Sequence, residues 1–489
     1  MENPLPSPDT SVTSETRRRL PRRVRRVLLA LLVVAGALGL VWLTLPAQRD
    51  GTRAPGPPRP PAPAPGAAAP AAVGAGVPAS LPGLTALIAE RERHLRARPA
   101  DARAWAVLGA AYVERGRRTA DPADCSKAEE ALRTSLRLLP QEKNTDALNA
   151  LAMLGNERRD FASARAWGEA AVKQAPGRWT VYPPLIDAYT GLGDDKAAQR
   201  TLDRLLTLGR SPAVQAKAAA VYWDRGWRED AAAELADAAA AAASPAERAA
   251  YLEQAGRIAL ERGDGEDALR HFDAALRLDP DQREARAGRA RALAALGRTA
   301  EALTAYRQAI GNRPAPEYAL ELGELYESLG SRPEAREQYG LLRTWAGQDE
   351  EAGVDDEVVL GRFEADHGDP ASAVRRLRAE WARRPGTVVA DALGWALHRD
   401  GRDEEALRFA TRATEPAEGG GVRNALYAFH RGVIEQGLGL PGAARRHLEN
   451  ALRTNPAFSP LRVPEAWAAL RALGEPSPQE VPAGVVPAR

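Results

Sequence analysis

The stretch AAYLEQAGRIALERGDGEDALRHFDAALRLDPDQREARAGRARALAALGRTAEALTAYRQAIGNRP, residues 249–314, states one pattern twice. Gly263, Ala268, Phe272, Ala275 and Pro280 return as Gly297, Ala302, Tyr306, Ala309 and Pro314, each 34 positions further on. A fixed period of this length marks a supersecondary unit that buries its apolar face only by stacking on copies of itself. Each half reads as two helices. Gly263 and Gly297 suit the left-handed conformation that ends a first helix. The alanines let neighbouring helices approach, and Pro280 and Pro314 stop the second helix. The expected fold is all-α, an α-solenoid.

Composition agrees. The chain has 489 residues, more than one ordinary globular core, and only 5% are aromatic. Ala, Leu and Arg dominate, which suits many short helices packed through small contacts. The richness in Ala, Arg, Gly and Pro with few Lys is also that of a GC-rich, actinobacterial-like genome. Net charge is +2 with 67 basic and 65 acidic residues, so no global field points to nucleic acid. The single cysteine, Cys125, excludes a disulfide framework and a cysteine zinc site.

Residues 1–26 read as a disordered, basic N-terminus, in which Arg17, Arg18, Arg19, Arg22, Arg23, Arg25 and Arg26 crowd together. Val27 to Leu45 comes next, VLLALLVVAGALGLVWLTL, without a charge. At ~1.5 Å per residue it nearly spans a bilayer core of ~30 Å. Trp42 stands near its far end, where an interfacial aromatic is favoured. The arginines keep the N-terminus in the cytoplasm and place the chain beyond Leu45 outside it, so that the apolar run is a single-pass signal anchor in the cytoplasmic membrane. A cleaved signal peptide would carry a shorter apolar run and an Ala-x-Ala site, and LTLPAQ is a poor one. The twin-arginine echo at Thr16–Leu20 is broken by Pro21. Residues 46–82, with eleven prolines, read as a semi-rigid linker.

From residue 83 to 474 the chain reads as helix after helix. Trp105-Ala-Val-Leu108-Gly109-Ala-Ala-Tyr112, with Ala128, Leu132 and Pro140, resembles the tetratricopeptide repeat, whose pattern is Trp-x2-Leu-Gly-x2-Tyr, then Ala, an aromatic or Leu, Ala and Pro. This first copy carries seven extra residues around Ala120 to Ser126, an enlarged turn in which Cys125 is expected to be exposed. Nine more copies come after it in register, among them Leu322-Gly323-x2-Tyr326 and Leu393-Gly394. A lone helix from Leu84 to Arg98 and a last one from Pro464 to Leu473 would cap the stack, and residues 475–489 read as a tail. The resemblance implies a right-handed superhelix of helix pairs with first helices on its concave face, where such proteins bind peptides or protein partners.

Register places one first-helix position, the residue after the Leu-Gly pair, on that face. Its occupants are Ala110, Met153, Asp187, Ala220, Arg257, Arg291, Glu324, Arg362, Trp395 and Val433. Arg257, Arg291, Glu324 and Arg362 form the one polar run, with Trp395 as an exposed aromatic anchor near His398, Phe429 and His430. Two readings stand: the arginines receive carboxylates of an acidic or C-terminal peptide, or the groove closes on internal Arg–Glu pairs. The lysine–asparagine clamp with which some relatives hold chaperone tails is not matched.

No Gly-rich phosphate loop, Gly-x-Ser-x-Gly elbow or His-Glu-x-x-His motif occurs. No cofactor, metal, nucleic acid or small-molecule substrate is expected. The expectation is a non-catalytic, membrane-tethered scaffold presenting a concave groove to a protein or peptide during assembly of a cell-envelope complex. Alternatives are a cytoplasmically oriented regulatory adaptor and an accessory subunit of a transporter or enzyme.

Overall fold

The computed structural model describes residues 69–311, 315–416 and 421–474. Among them lie 23 α-helices and no strand. Twenty helices pair into ten copies. Copies 1 to 3 are Ala102–Thr119 with Pro122–Leu138, Thr145–Glu157 with Phe161–Gln174, and Tyr182–Gly191 with Asp195–Leu208. Copies 4 to 6 are Pro212–Asp224 with Arg228–Ala241, Pro245–Glu261 with Gly265–Leu278, and Arg283–Ala295 with Thr299–Ile310. Copies 7 to 10 are Pro316–Ser328 with Arg332–Glu351, Glu357–His367 with Pro370–Arg383, Thr387–Arg399 with Asp403–Thr414, and Ala425–Gly437 with Pro441–Thr454. Ala69–Ala75 and Leu81–Ala97 precede the pairs, and Arg462–Ala472 comes after them.

Local chemistry sets these boundaries. Ser211 and Ser244 stand before prolines at the first helical position and accept the backbone N–H groups of Val214 and Glu247. Gly263, at φ 86°, ends the first helix of copy 5. In copy 1 a non-glycine does this work: Ala120 sits at φ 52° after a helix of 18 residues. The extra residues of that copy therefore lengthen its helices to 18 and 17 residues, against 13 and 12 in copy 6, and no enlarged turn forms.

Between copies 5 and 6 the packing sets an aromatic against glycine. Phe272, 1% exposed, comes from the second helix of copy 5. A Cβ on Gly256 in its own copy would lie 2.8 Å from its ring, and one on Gly288 in the next copy 2.3 Å. Only hydrogen at both positions admits the ring.

The stack coils tightly enough for successive turns to touch. Arg118 donates to Asp279 Oδ2 at 2.6 Å and to the carbonyl of Ala79 at 3.0 Å, with both charged side chains nearly buried. Arg159 pairs with Glu317 at 2.6 Å and with Asp356. Asn455 donates to the carbonyl of Leu260 at 3.0 Å. Separations of 161 and 195 residues, divided by the 34-residue period, make a turn about five to six copies.

Two expectations change. The segment expected as linker to residue 82 is helical over Ala69–Ala75, and Ala69, Val73 and Ala79 are buried in the body. Cys125 is 4% exposed on the inner side of a helix, so the lengthened helix covers it. Its surroundings push the thiol up to about 11 by burial. Residues 1–68, including the apolar run 27–45, the tail 475–489 and Pro314 lie outside the described residues; among those described, no helix is long and apolar enough to cross a membrane.

This packing sets three measurable outcomes. Phe272→Ala is expected to cost about 3–5 kcal/mol in denaturant unfolding, as for a buried aromatic with no room to collapse. Asp279→Asn leaves the Arg118 charge buried and is expected to cost about 3–5 kcal/mol; amide exchange should rise in copies 1 and 5, and unchanged protection in both would show the contact to be dispensable. In the folded protein an aromatic disulfide reagent should leave Cys125 unmodified and react fully once the chain is unfolded.

Candidate functional site

The first helices face inward and enclose two cavities on successive turns. Met153, Asp187 and Ala220 line the first, of about 460 Å³. Arg291, Glu324, Arg362 and Trp395 line the second, of about 510 Å³. The residue after each Leu-Gly pair thus reaches the interior in seven copies. Ala110 and Val433 pack into the core instead. Arg257 lines neither cavity; it is 45% exposed, 3.7 Å from Glu261 one helical turn on.

In the second cavity the charged side chains answer one another across copies. Arg291 of copy 6 donates through Nε and Nη2 to the two carboxylate oxygens of Glu321 in copy 7, both at 2.8 Å. Tyr306 donates to the same carboxylate at 3.2 Å. Burial opposes the Arg291 charge, Glu321 more than offsets it, and the guanidinium pKa lies above its ordinary value. Arg362 reaches Tyr427 of copy 10, while its Nε is buried without an acceptor among the described residues. Arg462, from the last helix, donates to Asp366 at 2.6 Å and lies over the Trp395 ring at 5.3 Å. The cavity thus sets Arg291, Arg362 and Arg462 against Glu317, Glu321, Glu324 and Asp366. With four acids to three arginines, it is not the cationic receptor for an acidic peptide that three arginines in register suggest.

Trp395 is 3% exposed and therefore not a free anchor. Its indole N–H donates to Asp366 at 2.9 Å, and its ring stacks on His430 at 4.2 Å and 17°. His430 pairs with buried Asp391 at 2.9 Å. His398 lies 5.1 Å from Trp395 and Phe429 5.9 Å, so the four rings expected to gather do so, as a packed cluster. His398 pairs with Asp403 at 2.6 Å. Among the described residues no group of three His, Cys, Asp or Glu side chains is placed to hold a metal ion. What remains open to a ligand is apolar: Leu260, Leu320, Val359, Leu426 and Phe458 share the wall with the paired charges.

Glu321 and Asp366 are not picked out by the Leu-Gly register, although each has a visible signal. Glu321 precedes Glu324 by three positions and Asp366 lies four beyond Arg362, so each shares a helix face with an expected residue. Arg462 and Phe458 come from the segment beyond copy 10, where the repeat pattern has ended and register gives no guidance.

Comparison with known proteins bears on the fold. A tetratricopeptide-repeat family model matches residues 120–178, 253–315 and 288–348, together less than half of the chain. No curated protein sequence matches. Among solved structures, PilF of Pseudomonas aeruginosa is similar at 21% identity over 43% of this chain and 98% of that one, with a TM-score of 0.34. A tetratricopeptide repeat protein from Parabacteroides merdae is 17% identical over 54% of this chain and 99% of that one, with a TM-score of 0.32. The human IFIT1 dimer with PPP-AAAA is 15% identical over 71% of this chain and 90% of that one, with a TM-score of 0.41. The chain carries tetratricopeptide repeats, stacked as an all-helical solenoid.

Proposed function

We propose that this chain is a non-catalytic scaffold that holds a protein or peptide segment in the interior of its superhelix. A solenoid's concave face is an extended binding surface. The observation that carries the reading is the second cavity, where apolar wall is exposed between charges already paired with one another. Such a surface takes apolar side chains of a peptide and leaves its polar backbone to the rim. Because Arg291 and Arg462 are engaged by Glu321 and Asp366, the ligand need not be acidic.

The apolar run Val27–Leu45 and the arginines before it support tethering to the cytoplasmic membrane with the repeats outside the cytoplasm. That placement makes a cell-envelope complex the setting in which the scaffold works.

Two measurements test the reading. A photoreactive residue at position 324 or 362 is expected to capture a partner in native membranes that the same residue at Arg378, on a second helix, does not. Capture at 378 alone would move the binding surface outside and end the proposal. A reporter active only outside the cytoplasm, fused after Thr52, is expected to be active; an inactive fusion would assign the repeats to the cytoplasm.

A further inference from the structure

The first-turn cavity has a different chemistry from the second. Its lining charges fall into two groups. Asp187 is paired with Lys217, and Arg117 stands between Glu114 at 2.9 Å and Glu284 at 3.6 Å. Glu157 of copy 2 and Glu253 of copy 5 also line the cavity, and among the described residues no ion pair closes on either. Burial raises the pKa of both carboxyls, and the nearby guanidinium groups, Arg117 for Glu157 and Arg257 for Glu253, only partly offset it. Two carboxylates are thus held in partial burial without a bonded cation, a condition relieved when a cation arrives.

A second observation points the same way. Gln282 lines this cavity at 7% exposure, and its side-chain Oε1 meets no donor among the described residues. Asn156, also in the wall, spends its amide N–H on the carbonyl of Pro184 at 2.7 Å and leaves Oδ1 without a donor. A buried acceptor without a donor costs about 1–3 kcal/mol, so such groups call for a partner. The buried side-chain atoms left unanswered here are two amide oxygens, and they stand beside two carboxylates on which no ion pair closes among the described residues. The described residues offer no cluster suited to a metal ion, so the missing partner is a donor-rich organic cation. A guanidinium fits best, with five N–H donors in a fixed plane and no acceptor of its own.

We infer that the interior of the first turn is a receptor for an arginine side chain carried by an extended segment of a partner protein, with Glu157 and Glu253 receiving the guanidinium and Gln282 and Asn156 completing its hydrogen bonds. The cavity, at about 460 Å³, is larger than one arginine needs, which leaves room for the flanking backbone. The inference is independent of occupancy of the second cavity, whose lining shares no residue with this one.

The test uses the full chain in nanodiscs and a fluorescein-labelled nonapeptide of three Gly-Ser-Arg units, read by anisotropy. Lys and Glu versions of the peptide and free arginine as competitor complete the set. The Arg peptide is expected to bind, the Lys peptide more weakly and the Glu peptide not at all. Glu157→Gln with Glu253→Gln is expected to weaken binding about tenfold or more, the scale of lost charge-assisted hydrogen bonds. Gln282→Leu is expected to weaken it as well, and Glu405→Gln on the outer surface to leave it unchanged. Glu324→Gln, in the second cavity, should also leave it unchanged, which separates failure here from failure there. Equal binding of the Glu peptide, or wild-type affinity in both Glu157→Gln/Glu253→Gln and Gln282→Leu, overturns the inference. Competition by free arginine at the peptide's own concentration overturns the assignment to a protein partner. If the double variant melts early, Gln282→Leu and the Glu peptide carry the decision.

Discussion

The fit of Phe272 between Gly256 and Gly288 is the constraint on which the rest of this structure depends. A ring can enter only where two first helices present hydrogen in place of a side chain, with would-be Cβ positions 2.8 and 2.3 Å from its atoms. Phe161 of copy 2 meets Gly191 of copy 3 in the same way, at 2.3 Å, and Tyr339 meets Gly323 within copy 7, also at 2.3 Å. Because helix surfaces pack to near-crystalline density, a contact this close leaves little freedom in the angle between copies. Along ten copies, angles fixed between neighbours add up to a fixed superhelix. Here the turn is short enough that copies five and six places apart come into contact.

That closure gives the interior its chemistry. An open groove would leave its arginines and carboxylates in water, where exposed pairs contribute little. In a tightly wound stack the first-helix face is partly desolvated, and its charges need partners. Arg291 finds Glu321 in the next copy, and Arg462 reaches Asp366 from the end of the chain. The helix that carries Arg462 comes after the loop in which Asn455 bonds back to Leu260, so the capping segment also closes the second cavity. The end of the solenoid is therefore part of a binding wall as well as a cover for apolar surface.

How much of this is legible in the sequence depends on the range of each interaction. The period is visible because its residues act locally: a glycine ends a helix, an alanine admits a neighbour, a serine before proline starts the next turn. The inward position after Leu-Gly is visible for the same reason, since one register sets it in every copy. Curvature is not. Arg118 and Asp279 look like solvated charges near helix ends, and nothing in their neighbourhoods records that 161 residues of chain return one to the other. The burial of Trp395 escapes the sequence for another reason, since Asp366 and His430 of the adjacent copies and Arg462 of the last helix close around it. Arg257 shows the limit of register in another way. It occupies the same place as Arg291 one copy later, yet lines neither cavity, and its charge faces Glu261 and Glu253 of its own helix and Asp224 of copy 4.

The two cavities show why lining residues alone are a poor guide to a ligand. Both contain arginine and glutamate: Arg117 with Glu114, Glu157, Glu253 and Glu284 in the first, and Arg291, Arg362 and Arg462 with Glu317, Glu321 and Glu324 in the second. In the second, Arg362 Nε and Glu317 Oε2 are the buried charged atoms left without a partner among the described residues, and the apolar wall is the larger remainder. In the first, Glu157 and Glu253 have no ion pair among the described residues, and the buried atoms left over are amide oxygens. Specificity in a desolvated interior comes from what remains unsatisfied after the protein has paired with itself, because a ligand that leaves such a group unpaired bears its desolvation cost. By that measure the first turn discriminates by hydrogen-bond donors and the second by shape, although the same repeat builds both.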